Sequence, residues 1–244
     1  MNLKVKKEYE YMNLLVFLNF SYVLSYSYKT HGYLGELVKE TLSSERYSSL
    51  LNSIGVSDLK QASIWADKVK RTKKYSFTRT LHYMNIDSCE VTSKDLQTTT
   101  IYTAIMELTG NPNKTVLFKE VPAAEKIKFL LHFLQDISQP LHSYGKGRGG
   151  NSIKVIRNKN NRNRTTNLHS LWDAEIPQTF VSSGKYVPTI LNVTLIEVIN
   201  FNLKISCGYI YNFKDDYIVF EDYYREDIVK EMFDNYLSLV NRYL

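Results

Sequence analysis

The stretch LLHFLQDISQPLH, residues 130–142, decides the fold. It completes a run, Ala123–Ser138, in which apolar residues recur at three- and four-residue spacing, so a helix is expected that stops before Pro140. Phe129, Leu130, Leu131 and Leu134 read as its core face. His132 and Asp136 lie four residues apart, and on a helix that places them on one face a single turn apart. An imidazole and a carboxylate so placed can share a metal ion, as paired His do in zinc proteases, or can simply be hydrogen-bonded neighbours. His142 follows across Gln139-Pro140-Leu141, where a proline turn brings a third imidazole back toward the helix end.

The same periodicity predicts helices over Tyr33–Arg46, Val56–Lys70, Leu96–Leu108 and Tyr223–Leu244, with Gly110 and Pro112 closing the third of these. Ser152–Ile156 is the one short stretch that reads as a strand, in a small hairpin, and Asn158–Arg164 reads as a polar loop. With no repeat and no Pro- or Ser-rich linker, the expected fold is all-α: a single mainly helical domain with at most a small β-hairpin. Composition agrees. The 244 residues are 43% hydrophobic and 23% charged, which excludes disordered and low-complexity classes, and 10 Gly with 5 Pro are too few turn-formers for many short strands. Two cysteines exclude a disulfide scaffold and a thiolate zinc cluster. A net charge of +6 and a pI near 9.0 favour polyanionic partners.

Residues 1–25 read as a signal peptide: Lys4, Lys6 and Lys7 form a basic head, and Met12–Leu24 supply an apolar stretch short for a bilayer span. Val23 and Ser25 fit the small-residue rule, so cleavage is expected between Ser25 and Tyr26, leaving a domain at 26–244; an N-terminal amphipathic helix or an uncleaved anchor is the alternative. Export would place the chain outside the cell or in a secretory or vacuolar compartment. There Cys89 and Cys207 can pair, or they remain buried thiols. Asn113-Lys114-Thr115, Asn163-Arg164-Thr165 and Asn192-Val193-Thr194 are glycan acceptor sequons in a eukaryotic host.

The histidines carry the functional argument. There are five, His31, His82, His132, His142 and His169, and the last opens a second His-x-x-x-Asp frame with Asp173. Asp fills only about one position in twenty, which argues against two such pairs by accident. Asp67 sits on an otherwise apolar helix, where a lone carboxylate needs a partner. These eight nitrogen and oxygen donors exceed the usual four of one zinc, so two or three metals are implied. A donor set without thiolate suits zinc best, with manganese or iron as alternatives.

The blocks ASIWAD (62–67), LHYMN (81–85), LLHFLQDISQPLH (130–142), GGN (149–151) and NLHSLWD (167–173) together make the chain resemble a known family. It is similar to the secreted zinc-dependent single-strand nucleases of the nuclease S-one/P-one type, which share their helical fold with bacterial zinc phospholipase C. The likeness runs from Tyr26 to the C-terminus, including the stretch near Asp222–Tyr224. It implies three zinc ions. One would be held by Asp67, His82, His132 and Asp136; a second by Asp67, His31 and the amino group and carbonyl of an N-terminal Tyr26; the third by His142, His169 and Asp173. The family normally has Trp at the position of Tyr26, five before the first ligand His. An α-amine ligates only when free and deprotonated, so signal removal would also be an activation step.

The resemblance further implies endonuclease cleavage of single-stranded DNA and RNA to 5′-nucleotides, with 3′-nucleotidase activity on 3′-nucleotides. Asp67 and Lys70 would be catalytic, Lys70 standing where the family usually has Arg and lacking its bidentate fork. Tyr83 would stack on a base, Asn85 would contact the base edge, and Asn151 would lie beside the scissile phosphate. Gln135 replaces a common Gly and Ser138 a common His, both read as packing changes. Lys154, Arg157, Lys159, Arg162 and Arg164, like Lys68–Lys74, either track phosphates or are solvated. Trp65 and Trp172 read as core behind the ligand helices. Two rival readings are a zinc phospholipase C, against which Asp173 stands where those enzymes carry Glu, and a non-catalytic secreted binder of zinc or nucleic acid. A monomer is the default.

Overall fold

The computed structural model describes residues 26–111, 116–159, 162–210 and 224–244. The expected signal peptide at 1–25, the Asn113 sequon and Asp222–Tyr223 lie outside them, as do the side chains of Arg157, Lys159, Arg162, Asn163 and Arg164. The fold is mainly helical. α1 (Tyr28–Leu37), α2 (Ser44–Ile54), α3 (Leu59–Val69), α4 (Ser93–Gln97), α5 (Ile101–Leu108), α6 (Ala123–Asp136) and α7 (Pro140–Ser143) precede one antiparallel hairpin, β1 (Lys154–Lys159) and β2 (Arg162–Asn167). After it, α8 (Leu168–Ser170) runs through a π turn at Leu171–Glu175 into α9 (Ile176–Ser182), followed by α10 (Leu195–Ile205) and α11 (Glu226–Tyr243). Among the described residues no helix is long and apolar enough to cross a membrane.

α6 is the centre of the packing. Every residue from Phe129 to Asp136 is buried, because α1, α2, α3, α5 and α11 all contact this helix. A helix enclosed on all sides must put even its polar residues indoors, which is how His132, Gln135 and Asp136 come to be completely buried. Trp172 is buried as expected, whereas Trp65 is half-buried, edge-on to Phe129 and Tyr75.

Local capping redraws several expected elements. The helix read over Tyr33–Arg46 is two, because the Ser43 hydroxyl accepts from the Arg46 N–H and starts α2 afresh. The helix read over Leu96–Leu108 is also two: Thr92 and Asp95 close a reciprocal capping box on α4, and the Thr103 hydroxyl accepts from the Thr100 N–H at the start of α5. The polar stretch Asn158–Arg164 is partly strand, with Asn158 facing Asn163 and Lys159 facing Arg162 in register. Alternating polarity is a weak signal when both strand faces are polar. Cys89 and Cys207 form a disulfide that ties the segment after His82 to the turn following α10.

α1 crosses α3 at very close range. A methyl group added at Gly35 would lie 2.8 Å from the Leu59 carbonyl oxygen and would also collide with the Ser63 hydroxyl. The absence of a side chain at Gly35 therefore lets His31, one turn earlier on α1, reach Asp67 on α3. Gly35→Ala is expected to lower unfolding stability by about 1–3 kcal/mol through overpacking. Chemical denaturation checks this, and an unchanged midpoint would contradict it.

Candidate metal centre

Five histidines and three aspartates converge in the interior, each at most 3% exposed. His132 and Asp136 project from α6, one turn apart, and His82 comes from the loop before α4. His82 Nδ1 lies 2.8 Å and His132 Nε2 3.1 Å from the same Asp136 oxygen, and the two ring nitrogens are 3.1 Å apart. Asp67 on α3 is 3.6 Å from His132 Nε2 and 3.7 Å from His31 Nε2, which is itself 3.5 Å from Asp136. Across the centre, His142 Nε2 and His169 Nε2 stand 3.4 and 3.1 Å from the two oxygens of Asp173. Zinc ligands at about 2.0–2.2 Å from a tetrahedral ion are separated from one another by about 3.3 Å, so this spacing fits.

The donors form three groups: His31, Asp67 and His132; His82, His132 and Asp136; and His142, His169 and Asp173. Their outer hydrogen bonds turn them inward. His132 Nδ1 donates to the Ser63 carbonyl at 2.6 Å, His169 Nδ1 to the Gly149 carbonyl at 2.7 Å and His31 Nδ1 to Gln135 Oε1 at 2.5 Å. Each bond leaves the Nε2 lone pair aimed at carboxylates, an arrangement that a cation satisfies. His82 Nε2, Asp136 Oδ1 and both His142 ring nitrogens are buried without a hydrogen bond, a costly state that ligation relieves. The residues therefore fit metal ions.

Tyr26 is also buried here, its ring 5.6 Å from that of His31 and 6.1 Å from that of His142. Ser27 N–H and the Thr30 hydroxyl both donate to the Asp173 carbonyl, at 3.0 and 2.9 Å, and pin the start of α1 to the third group. Lys70 places its ammonium 2.5 Å from Asp67 Oδ1. A cavity of about 570 Å³ opens onto His82, His142 and His169 and is lined by Lys70, Tyr83, Asn85 and Asn151. Asn85 and Arg148, both at its mouth, have φ near +60°, a strained backbone for residues other than glycine and a pattern that concentrates at functional sites. The Arg148 carbonyl accepts from the Asn151 side chain at 2.9 Å, and a parallel bridge between Ile86 and Tyr144 ties the Tyr83–Asn85 segment to His142.

The sequence matches the S1/P1 nuclease family over residues 26–224. The chain belongs to the S1/P1 nuclease family. It is 32% identical over 143 residues to endonuclease 2 of Arabidopsis thaliana, covering 53% of this chain and 47% of that protein. It is 30% identical to nuclease S1 of Aspergillus oryzae over 53% of this chain and 46% of that one, and 30% identical to nuclease P1 of Penicillium citrinum over 54% and 50%. The chain thus spans about half the length of the curated relatives it matches. Zinc dependence is a trait of the S1/P1 family, and the donor groups above can hold metal.

Sequence reasoning missed the residues that orient the candidate ligands. Gln139 donates to Asp173 at 2.7 Å, and Gln135, taken for a packing change, bonds to His31. Ser63 and Gly149 act through main-chain carbonyls, which leave no side-chain signature. Gly149 has φ +61, and a methyl group there would approach the Leu141 carbonyl to 2.9 Å. Arg71, Arg79 and Arg148 also line the cavity.

Burial controls the protonation of this S1/P1 centre. It pushes His31 down from 6.5 to about 4, aided by His132, and His82 likewise to about 4, aided by Lys70. Burial also works against charge on His132, but Asp136 and Asp67 outweigh it and raise that imidazole. Burial alone would raise Asp67, Asp136 and Asp173, yet His132 and the Lys70 ammonium at Asp67, His132 and His142 at Asp136, and His169 and His142 at Asp173 hold all three below the usual carboxylate range. His31 and His82 are therefore neutral, as ligands must be, at pH 6 to 7. Their folded values lie below the unfolded one, so the unfolded chain takes protons first. The stability they contribute is full above about pH 6.5 and is lost as pH falls toward 4. In the metal-free protein, imidazole NMR titration is expected to show both midpoints near pH 4. Midpoints near 6.5 would contradict this account.

Proposed function

We propose that this S1/P1 family chain is a secreted endonuclease that holds three zinc ions and hydrolyses single-stranded DNA and RNA to 5′-nucleotides, with 3′-nucleotidase activity. The observation that carries the reading is that the buried His/Asp groups open onto a cleft whose walls bear four cations, an aromatic ring and two amides. The zinc ions would be held by Asp67, His82, His132 and Asp136; by Asp67, His31 and the main chain of Tyr26; and by His142, His169 and Asp173. When bound, zinc makes water a nucleophile near neutral pH and neutralises phosphate charge.

The chain's own residues account for the selectivity. Tyr83 offers a ring face for a base, and only an unpaired base exposes its own face for stacking. Asn85, held outward by its left-handed backbone, presents an amide to the base edge. Asn151 is positioned by Arg148 to hydrogen-bond a phosphate oxygen. Lys70, fixed on Asp67, supplies positive charge where a phosphate at the centre gains negative charge during attack. Support for removal of residues 1–25 comes from the burial of Tyr26 between His31 and His142 and from a family match that begins at residue 26. The disulfide supports an oxidising compartment, secretory or vacuolar.

Purified protein beginning at Tyr26 is expected to cleave single-stranded DNA, to lose that activity to a chelator and to exceed the same chain extended by a few residues. Equal activity of the two forms would remove the N-terminal ligand, and no cleavage by either, with zinc bound, would favour a phospholipase C or a binding protein. Asp67→Asn is expected to abolish turnover, while Lys70→Met should lower kcat by about 10²–10³-fold, the usual loss of one charge-stabilising group. Unchanged turnover in Asp67→Asn would overturn the site assignment.

A further inference from the structure

Gln135 is a fully buried amide on α6, one residue before the ligand Asp136 and three after His132. Its Nε2, with two hydrogens to give, has three acceptors within reach: the His31 carbonyl at 3.3 Å, the Ser63 hydroxyl at 3.1 Å and the Tyr236 hydroxyl at 3.1 Å. A carbonyl can only accept, so the amide nitrogen must face His31 O, and this fixes Oε1 on the other side. There Oε1 stands 2.5 Å from His31 Nδ1. The amide thus clasps one residue by both its main chain and its ring. Its orientation is set from three elements: α1 through His31, α3 through Ser63 and α11 through Tyr236.

We propose that Gln135 is a positioning residue for His31: it keeps the proton on Nδ1 and the Nε2 lone pair turned toward Asp67 and Asp136, and so sets the affinity of the metal ion that His31 holds. The inference rests on the metal-centre reading above. A ring otherwise able to carry its proton on either nitrogen is locked in the ligating tautomer before metal arrives, and the ordering cost is met during folding. His132 and His169 obtain the same service from main-chain carbonyls. His31 lies near the start of α1, and its partner is this side chain.

The test compares zinc retention by the Tyr26-start protein and its Gln135→Leu and Gln135→Glu variants, titrated with a chromophoric chelator, beside nitrogen-15 NMR of His31 in the unmodified zinc-loaded protein. Gln135→Leu is expected to release one zinc at about 10–100-fold lower chelator strength while the remaining zinc is held as before. Gln135→Glu keeps an acceptor and should hold zinc about 10–100-fold more tightly than Gln135→Leu. NMR should place the proton on Nδ1, a readout that does not depend on any variant folding. A general loss of packing would instead loosen every ion alike. Equal retention by Gln135→Leu and the unmodified chain, or a proton on Nε2, would overturn the role of Gln135 alone. No zinc in the unmodified protein would overturn the metal centre along with it.

Discussion

The structure is organised around the cost of burying eight ionisable side chains in one small volume. A carboxylate or imidazole withdrawn from water is strongly disfavoured in its charged form unless compensated. Here the compensation is mutual: three aspartates held below their usual range by the imidazoles around them, His132 raised by two carboxylates, and His31 and His82 kept neutral by burial. Such a cluster tolerates little displacement, because the compensating charges and hydrogen bonds act only at short range. The helices that deliver those donors must therefore meet at fixed distances. Gly35 allows α1 onto α3, α6 runs through the middle, and Gln139 and the Asp173 carbonyl lock the segments around α7 and α8 to the start of the domain.

The candidate ligands were legible in the sequence because helix geometry makes them so. His132/Asp136 and His169/Asp173 must share a face at four-residue spacing, and the structure finds each pair 3.1 Å apart. The second pair runs from α8 into a π turn, and the pair survives that irregularity. Hydrophobic periodicity likewise marked α3, α6 and α11. Element ends were less legible: Ser43 and Thr103 start new helices inside runs whose periodicity looks continuous, because a single side-chain oxygen accepting one N–H decides the break. The hairpin extended beyond its apolar core because strand pairing is a main-chain property.

The supporting shell was the least legible part. Its acceptors are largely main-chain oxygens of Ser63 and Gly149, supplied by segments 69 and 20 residues away in sequence. Gln135 was visible as an unusual residue, but its meaning depends on Ser63 and Tyr236, which no local pattern connects to it. Membership of the S1/P1 family is consistent with the prominence of the His/Asp blocks, while the chemistry of Tyr26, Lys70 and Gln135 is read from their contacts.

The most direct test of the central claim is a crystal of the protein beginning at Tyr26, grown with zinc and measured on both sides of the zinc absorption edge. Anomalous density is expected within the three His/Asp groups, with one ion also bound by the main chain of Tyr26. Density confined to the surface, or an interior without zinc, would contradict it.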